Sequence, residues 1–295
     1  MTKMTTNTAP DGGDWPSLDD LKFLDNDADP GAALGMYSLP HPTPSYDVPP
    51  THDIYGTDLL DRHEWRRSLF TQDFLCETCW KDTLNAIMDP LHEAVDFDTE
   101  LKSVKHKQDN DPAEVEARRD EINGETIDYL GLFENTLHID SHSHTLTIFL
   151  ARVMMRIGWE VAVFYKERYG VARPVTRDPA GIKPIIRTPA HPSYPSAHST
   201  QAHLAKHALW AVVNGNPQVH DQNGVEERLE EIANRVAVNR EYAGVHYSAD
   251  TVAGSTLALH VWDIAADRPA FKALIKAARA EWDRPIQSGL RFIDP

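Results

Sequence analysis

Three stretches of the chain hold side-chain types that can grip and transform an oxyanion. Lys166 and Arg173 stand seven residues apart in Lys-Glu-Arg-Tyr-Gly-Val-Ala-Arg-Pro. Pro195-Ser196-Ala197-His198 comes next, and Arg240, His246 and Asp250 complete the set as Arg-x5-His-x3-Asp. Arginine binds oxyanions through a two-pronged fork, and lysine adds a compact charge. His246 and Asp250 have i, i+4 spacing, which on a helix puts both on one face. The carboxylate can then hold one ring nitrogen and leave the other free as nucleophile or ligand. His198 has the chemistry of a general acid.

These groups need helices to position them. Two prolines stiffen His191-Pro192-Ser193-Tyr194-Pro195, and an apolar-periodic run follows Ser196. That order predicts a helix start with Ser196 as N-cap and His198 in the first turn. Free N–H groups and the positive dipole end make such a start a seat for an anion. Upstream, Leu146, Phe149, Leu150, Val153, Met154, Ile157, Val161 and Phe164 form one apolar stripe on a long helix ending at Lys166. Gly170 and Arg173-Pro174 stop it, and residues 174–195 read as a proline-rich loop. A helix from about Val225 delivers Asn239-Arg240 and breaks at Gly244; another carries His246 and Asp250, and residues 269–284 form a last amphipathic helix. Ser141 or Ser143 is expected to cap the long helix.

At 295 residues and 41% hydrophobic, the chain can bury a full core. The net charge of −16 argues against nucleic acid or an anionic membrane as main partner. Yet Lys166 to Arg187 holds six basic and two acidic residues. This island reads either as a site for a small anion or as charges on a solvated face. No apolar run has the roughly 18 residues of a membrane span, and nothing after Met1 resembles a secretory signal, so a cytoplasmic protein is expected. The two cysteines, Cys76 and Cys79, are half a zinc site at most. They read as half-buried fillers on a helix; a redox pair lacks its usual βαβ surroundings. His138 and His142 have chelating spacing but no carboxylate in a convincing place, which favours surface or hydrogen-bonded histidines.

Residues 1–58 hold eight prolines, ten aspartates and two lysines, and read as an extended arm. It is either a partly ordered tail or an arm laid over the helical body or a second subunit. Helical patterns begin near Leu59, and residues 97–123 read as a charged loop followed by an exposed helix after Pro112. No alternating strand run occurs. The expected architecture is all-α: an arm over 1–58 and a helical catalytic domain over 59–295.

The ordered set Lys-x6-Arg-Pro, Pro-Ser-x-His and Arg-x5-His-x3-Asp resembles the superfamily of vanadium-dependent haloperoxidases and type 2 phosphatidic acid phosphatases. The resemblance covers residues 166–250 and implies an all-helical bundle with one oxyanion pocket. It implies that Lys166, Arg173, Ser196, the Ala197 N–H and Arg240 hold the equatorial oxygens, with Asp250 orienting His246. In the haloperoxidase branch the His246 equivalent ligates vanadate, and hydrogen peroxide and halide are the substrates. In the phosphatases it attacks phosphorus, and the His198 equivalent protonates the leaving group; phosphate and vanadate fit the same site. His191, seven residues before His198, resembles the bromoperoxidases and is expected on the halide or substrate side. The resemblance therefore favours a haloperoxidase acting on bromide or iodide, with a soluble phosphomonoesterase as alternative and a non-catalytic anion-binding protein as a third reading. Helical relatives and the arm suggest a homodimer. Two positions depart from the pattern: Ala197 stands where glycine is usual and could crowd the anion, and Asn239 replaces a common serine with little expected effect.

Overall fold

The computed structural model describes residues 67–68, 70–76 and 79–283. The arm over 1–58 and its boundary with the helical domain lie outside the described residues. Of the described residues 74% are helical and none is in a strand, so the chain is all-α there. The helices are α1 (Cys79–Glu93), α2 (Phe97–Asn110), α3 (Pro112–Ala117), α4 (Arg119–Gly124), α5 (Leu130–Leu137), α6 (Thr145–Tyr169), α7 (Pro174–Arg177), α8 (Ala197–Val213), α9 (Gln222–Tyr242), α10 (Ser248–Ala266) and α11 (Pro269–Trp282). None of them is long and apolar enough to cross a membrane.

Helix α8 is the centre. It is buried along most of its surface, with Ala202, Leu204, Ala205, Ala208, Leu209 and Val212 in the core, and a helix of that kind must be covered by its neighbours. Helices α6, α9 and α10 cover it. They contribute Leu150, Val153, Met154 and Ile157 from α6, Leu229 and Val236 from α9, and Leu257 and Val261 from α10. Two glycines set the spacing. A Cβ on Gly158 would lie 2.6 Å from Leu204 Cδ1, and one on Gly254 would lie 2.6 Å from Ser199 Cβ and 2.7 Å from the Ser196 carbonyl. The first turn of α8 therefore rests directly on α10.

Three sequence expectations change. Residues 97–110 are helix, not loop: Asp96 caps the start by accepting from the N–H groups of Asp98 and Thr99, and the charges face outward over buried Val104. Neither Ser141 nor Ser143 caps α6. The buried Glu281 carboxylate on α11 accepts from the N–H groups of Leu146 (2.7 Å) and Thr147 (2.9 Å) instead. Cys76 is exposed rather than half-buried. His138 ends α5 in the left-handed conformation at φ 53°, and no group of three potential metal ligands occurs among the described residues.

Candidate functional site

The last turn of α6 points Lys166 inward, 1% exposed. Its ammonium donates to the carbonyls of Pro192 (3.1 Å) and Ser193 (2.6 Å). Gly170, in the left-handed conformation at φ 61°, ends the helix. The chain then enters Arg173 extended and restarts with Pro174 at the head of α7. Buried Arg173 donates to the carbonyls of His191 (Nε, 3.0 Å) and Val245 (Nη1, 2.7 Å). The two cations thus tie together the loop before α8 and the turn before α10. Burial and the neighbouring Arg173 push the Lys166 ammonium down to about 7, and burial lowers Arg173 to about 10.

Ser196 is the N-cap of α8, accepting from the Ser199 N–H at 3.3 Å. Its own N–H donates to the Asp250 carbonyl at 3.0 Å, which docks the helix start on α10. Ala197 is buried in helical backbone. His138 alone among the described non-glycine residues has positive φ, so position 197 does not require glycine's conformational freedom. His198 hydrogen-bonds the Glu125 backbone carbonyl, and its ring centroid lies 5.4 Å from that of Tyr129. Burial first, then the Arg240, Lys166 and Arg173 charges, push its imidazole down to about 3.

His246 lies in the turn before α10, after Gly244 at φ 71°. The expected shared helical face is therefore absent. Asp250 is the third residue of α10, and its Oδ2 reaches back to His246 Nδ1 at 2.7 Å and to the Tyr247 N–H at 3.0 Å. Ser193 Oγ donates to the same Oδ2. A carboxylate accepts, so Nδ1 carries the proton and Nε2 keeps its lone pair. Arg173 Nη1 lies 3.3 Å from Nε2. Burial and the charges of Arg173 and Lys166 hold His246 well below an ordinary histidine; burial raises Asp250 to about 6 against its hydrogen bonds and those cations.

Arg240, fully buried, lies in the last turn of α9. Its Nη2 donates to the Ile122 carbonyl at 3.0 Å and to the Glu125 carboxylate. Glu125 also accepts from Asn239 Nδ2 at 2.7 Å, and Asn239 accepts from Arg118 at 2.8 Å. Burial pushes the Glu125 carboxyl up to about 7 despite Arg240 and Asn239. Asn239 is thus a working strut for the arginine, more than its sequence position suggested. Arg240 Nε and Nη1 are buried without a hydrogen-bond partner. Orphaned buried donors are costly and rare. Two of them on a guanidinium, near Lys166, Arg173 and two imidazoles, suit a bound oxyanion such as phosphate or vanadate.

His191 borders this group. Its Nδ1 lies 3.2 Å from Arg173 Nη2, and its ring meets Trp159 edge-on at 5.6 Å. Burial and the Lys166 and Arg173 charges lower its imidazole. The structure gathers all nine sequence-predicted residues: Lys166, Arg173, His191, Ser196, Ala197, His198, Arg240, His246 and Asp250. The charges of Lys166, Arg173 and Arg240 act on both His198 and His246, and His198 acts on His246 in turn. Sequence reasoning missed Glu125, Tyr129 and Ser193. Ser193 sits within the proline-stiffened approach and could have been found there. Glu125 lies in a mixed-charge stretch where a carboxylate reads as solvent-facing. A separate cavity of about 450 Å³, lined by His92, Phe97, Val171 and Arg177, takes in none of the nine. No protein-family model matches the chain, and no curated protein matches it either.

Proposed function

We propose that the chain is an oxyanion enzyme of the haloperoxidase type, using hydrogen peroxide to oxidise bromide or iodide at a histidine-held vanadate. One observation carries the reading: His246, whose Nδ1 is held by Asp250, is buried within the field of Lys166, Arg173 and an Arg240 that keeps two orphaned donors. Lys166, Arg173, Arg240, Ser196 and the Ala197 N–H would hold vanadate oxygens, and His246 would bind the metal. Vanadate supplies Lewis acidity toward peroxide when bound. The overall change balances as hydrogen peroxide, halide and one proton giving hypohalous acid and water. The chain's own part is to orient the anion, neutralise its charge, and supply or take that proton at His198. His191 beside Arg173 supports a halide-side or substrate-side role, as in the bromoperoxidases it resembles.

The same Nε2 lone pair supports a second reading, a phosphomonoesterase. There His246 Nε2 attacks phosphorus, the ester P–O bond breaks, and the leaving oxygen takes a proton from His198. Water then cleaves the phosphohistidine, with His198 as base. One preparation assayed with and without orthovanadate, for bromide-dependent dye halogenation and for phosphomonoester hydrolysis, separates the two. His246→Ala is expected to abolish vanadate binding and either activity. Retention of either one removes His246 from the centre of the reaction.

A further inference from the structure

We propose that the Tyr129 hydroxyl is an additional donor to the bound oxyanion, on the His198 side of the pocket. The inference rests on the oxyanion-site reading and extends it to a residue outside the three motifs. Tyr129 is 7% exposed, and its hydroxyl is buried without a hydrogen-bond partner. Its ring lies against His198, with centroids 5.4 Å apart at a 38° tilt. The Arg240 guanidinium acts electrostatically on the phenol, and the phenol acts on Arg240. Three orphaned polar atoms therefore belong to two residues that act on each other: the Tyr129 hydroxyl and Arg240 Nε and Nη1.

Nothing local explains the hydroxyl. Tyr129 directly precedes α5, but the helix start is capped by Asp128, whose Oδ1 accepts from the Leu130 N–H at 2.9 Å. Phenylalanine would fill the same space. The turn from Glu125 to Tyr129 instead brings two different groups to Arg240: a carboxylate that takes up Nη2, and a phenol that leaves the remaining donors free. An anion oxygen is the acceptor these orphans share, because each of them can donate. Burial holds the phenol far above the pH range of any assay, so it stays a neutral donor. A neutral donor adds affinity without adding charge to a pocket already crowded with cations.

The test measures inorganic phosphate and orthovanadate affinity calorimetrically on the wild type and Tyr129→Phe, together with thermal unfolding in anion-free buffer. A hydrogen bond to a charged acceptor predicts about a tenfold or greater loss of affinity for the variant. Its anion-free unfolding temperature should be unchanged or higher, since an orphaned polar atom has gone. Wild-type affinity in Tyr129→Phe overturns the role of Tyr129 while leaving the site intact. A wild type that binds neither anion overturns the underlying reading and this proposal with it. Should Tyr129→Phe fail to fold, Tyr129→Leu is measured in the same way against the same two outcomes.

Discussion

Asp250 reaches His246 from the third position of a helix to which His246 does not belong. The 2.7 Å contact is made across the mouth of α10, and the same oxygen takes the Tyr247 N–H. One carboxylate thus caps a helix and fixes a tautomer, so the imidazole is oriented by backbone geometry as well as by its own partner.

Asp250→Asn separates these two duties. The amide oxygen can still take the Tyr247 N–H, but it no longer compels a proton on His246 Nδ1. We expect kcat/KM to fall by about 10² to 10⁴, with a much smaller change in the thermal midpoint. Steady-state kinetics and thermal unfolding on one preparation check this, and unchanged kinetics would end the proposed pairing.

His198 makes the protein acid-sensitive in a predictable direction. Its imidazole is held at about 3 in the folded chain, against 6.5 ordinarily. The native state therefore binds fewer protons than the unfolded chain below pH 6.5, and stability is lost as pH falls from there toward 3. Between pH 6.5 and pH 5 the loss is about 2 kcal/mol from this group. A bound anion is expected to offset the field of the Arg240, Lys166 and Arg173 cations, raise the imidazole and draw in a proton. Calorimetry of phosphate binding in buffers of different ionisation enthalpy should detect that uptake beyond the anion's own. His198→Ala should lose the extra proton and turnover while keeping part of the affinity. An affinity lost as fully as in His246→Ala contradicts the division of roles.

Gly254→Ala tests whether the seat depends on close helix contact. The new methyl would meet Ser199 Cβ at 2.6 Å and the Ser196 carbonyl at 2.7 Å, one of them backbone. We expect a destabilisation of about 1–3 kcal/mol and weakened anion binding, because α8 must back away from α10. Full affinity with full stability would mean that the contact can yield without moving Ser196.

The sequence made the centre of the fold legible because its determinants are local. Ser196 as cap, Gly170 and Gly244 as helix ends, and the α6 stripe all act within a few residues of themselves. The three motifs were legible for the same reason: each sits at a helix end that its own neighbours specify. What stayed hidden depends on distant partners. Glu125 looks like any surface acid until Arg240 and Asn239 close over it. Residues 97–110 look like loop because their polar surface outweighs the single buried Val104. His246 and Asp250 were paired correctly by spacing but on the wrong scaffold, since a helix start and a helix face both allow contact at that separation.

Glu281 holds the opening N–H groups of α6 from about 135 residues further along the chain. During synthesis that helix has no carboxylate at its head until position 281 has cleared the ribosome. A chain cut short of Glu281 would carry all three motifs and lose the carboxylate that takes up the opening N–H groups of α6.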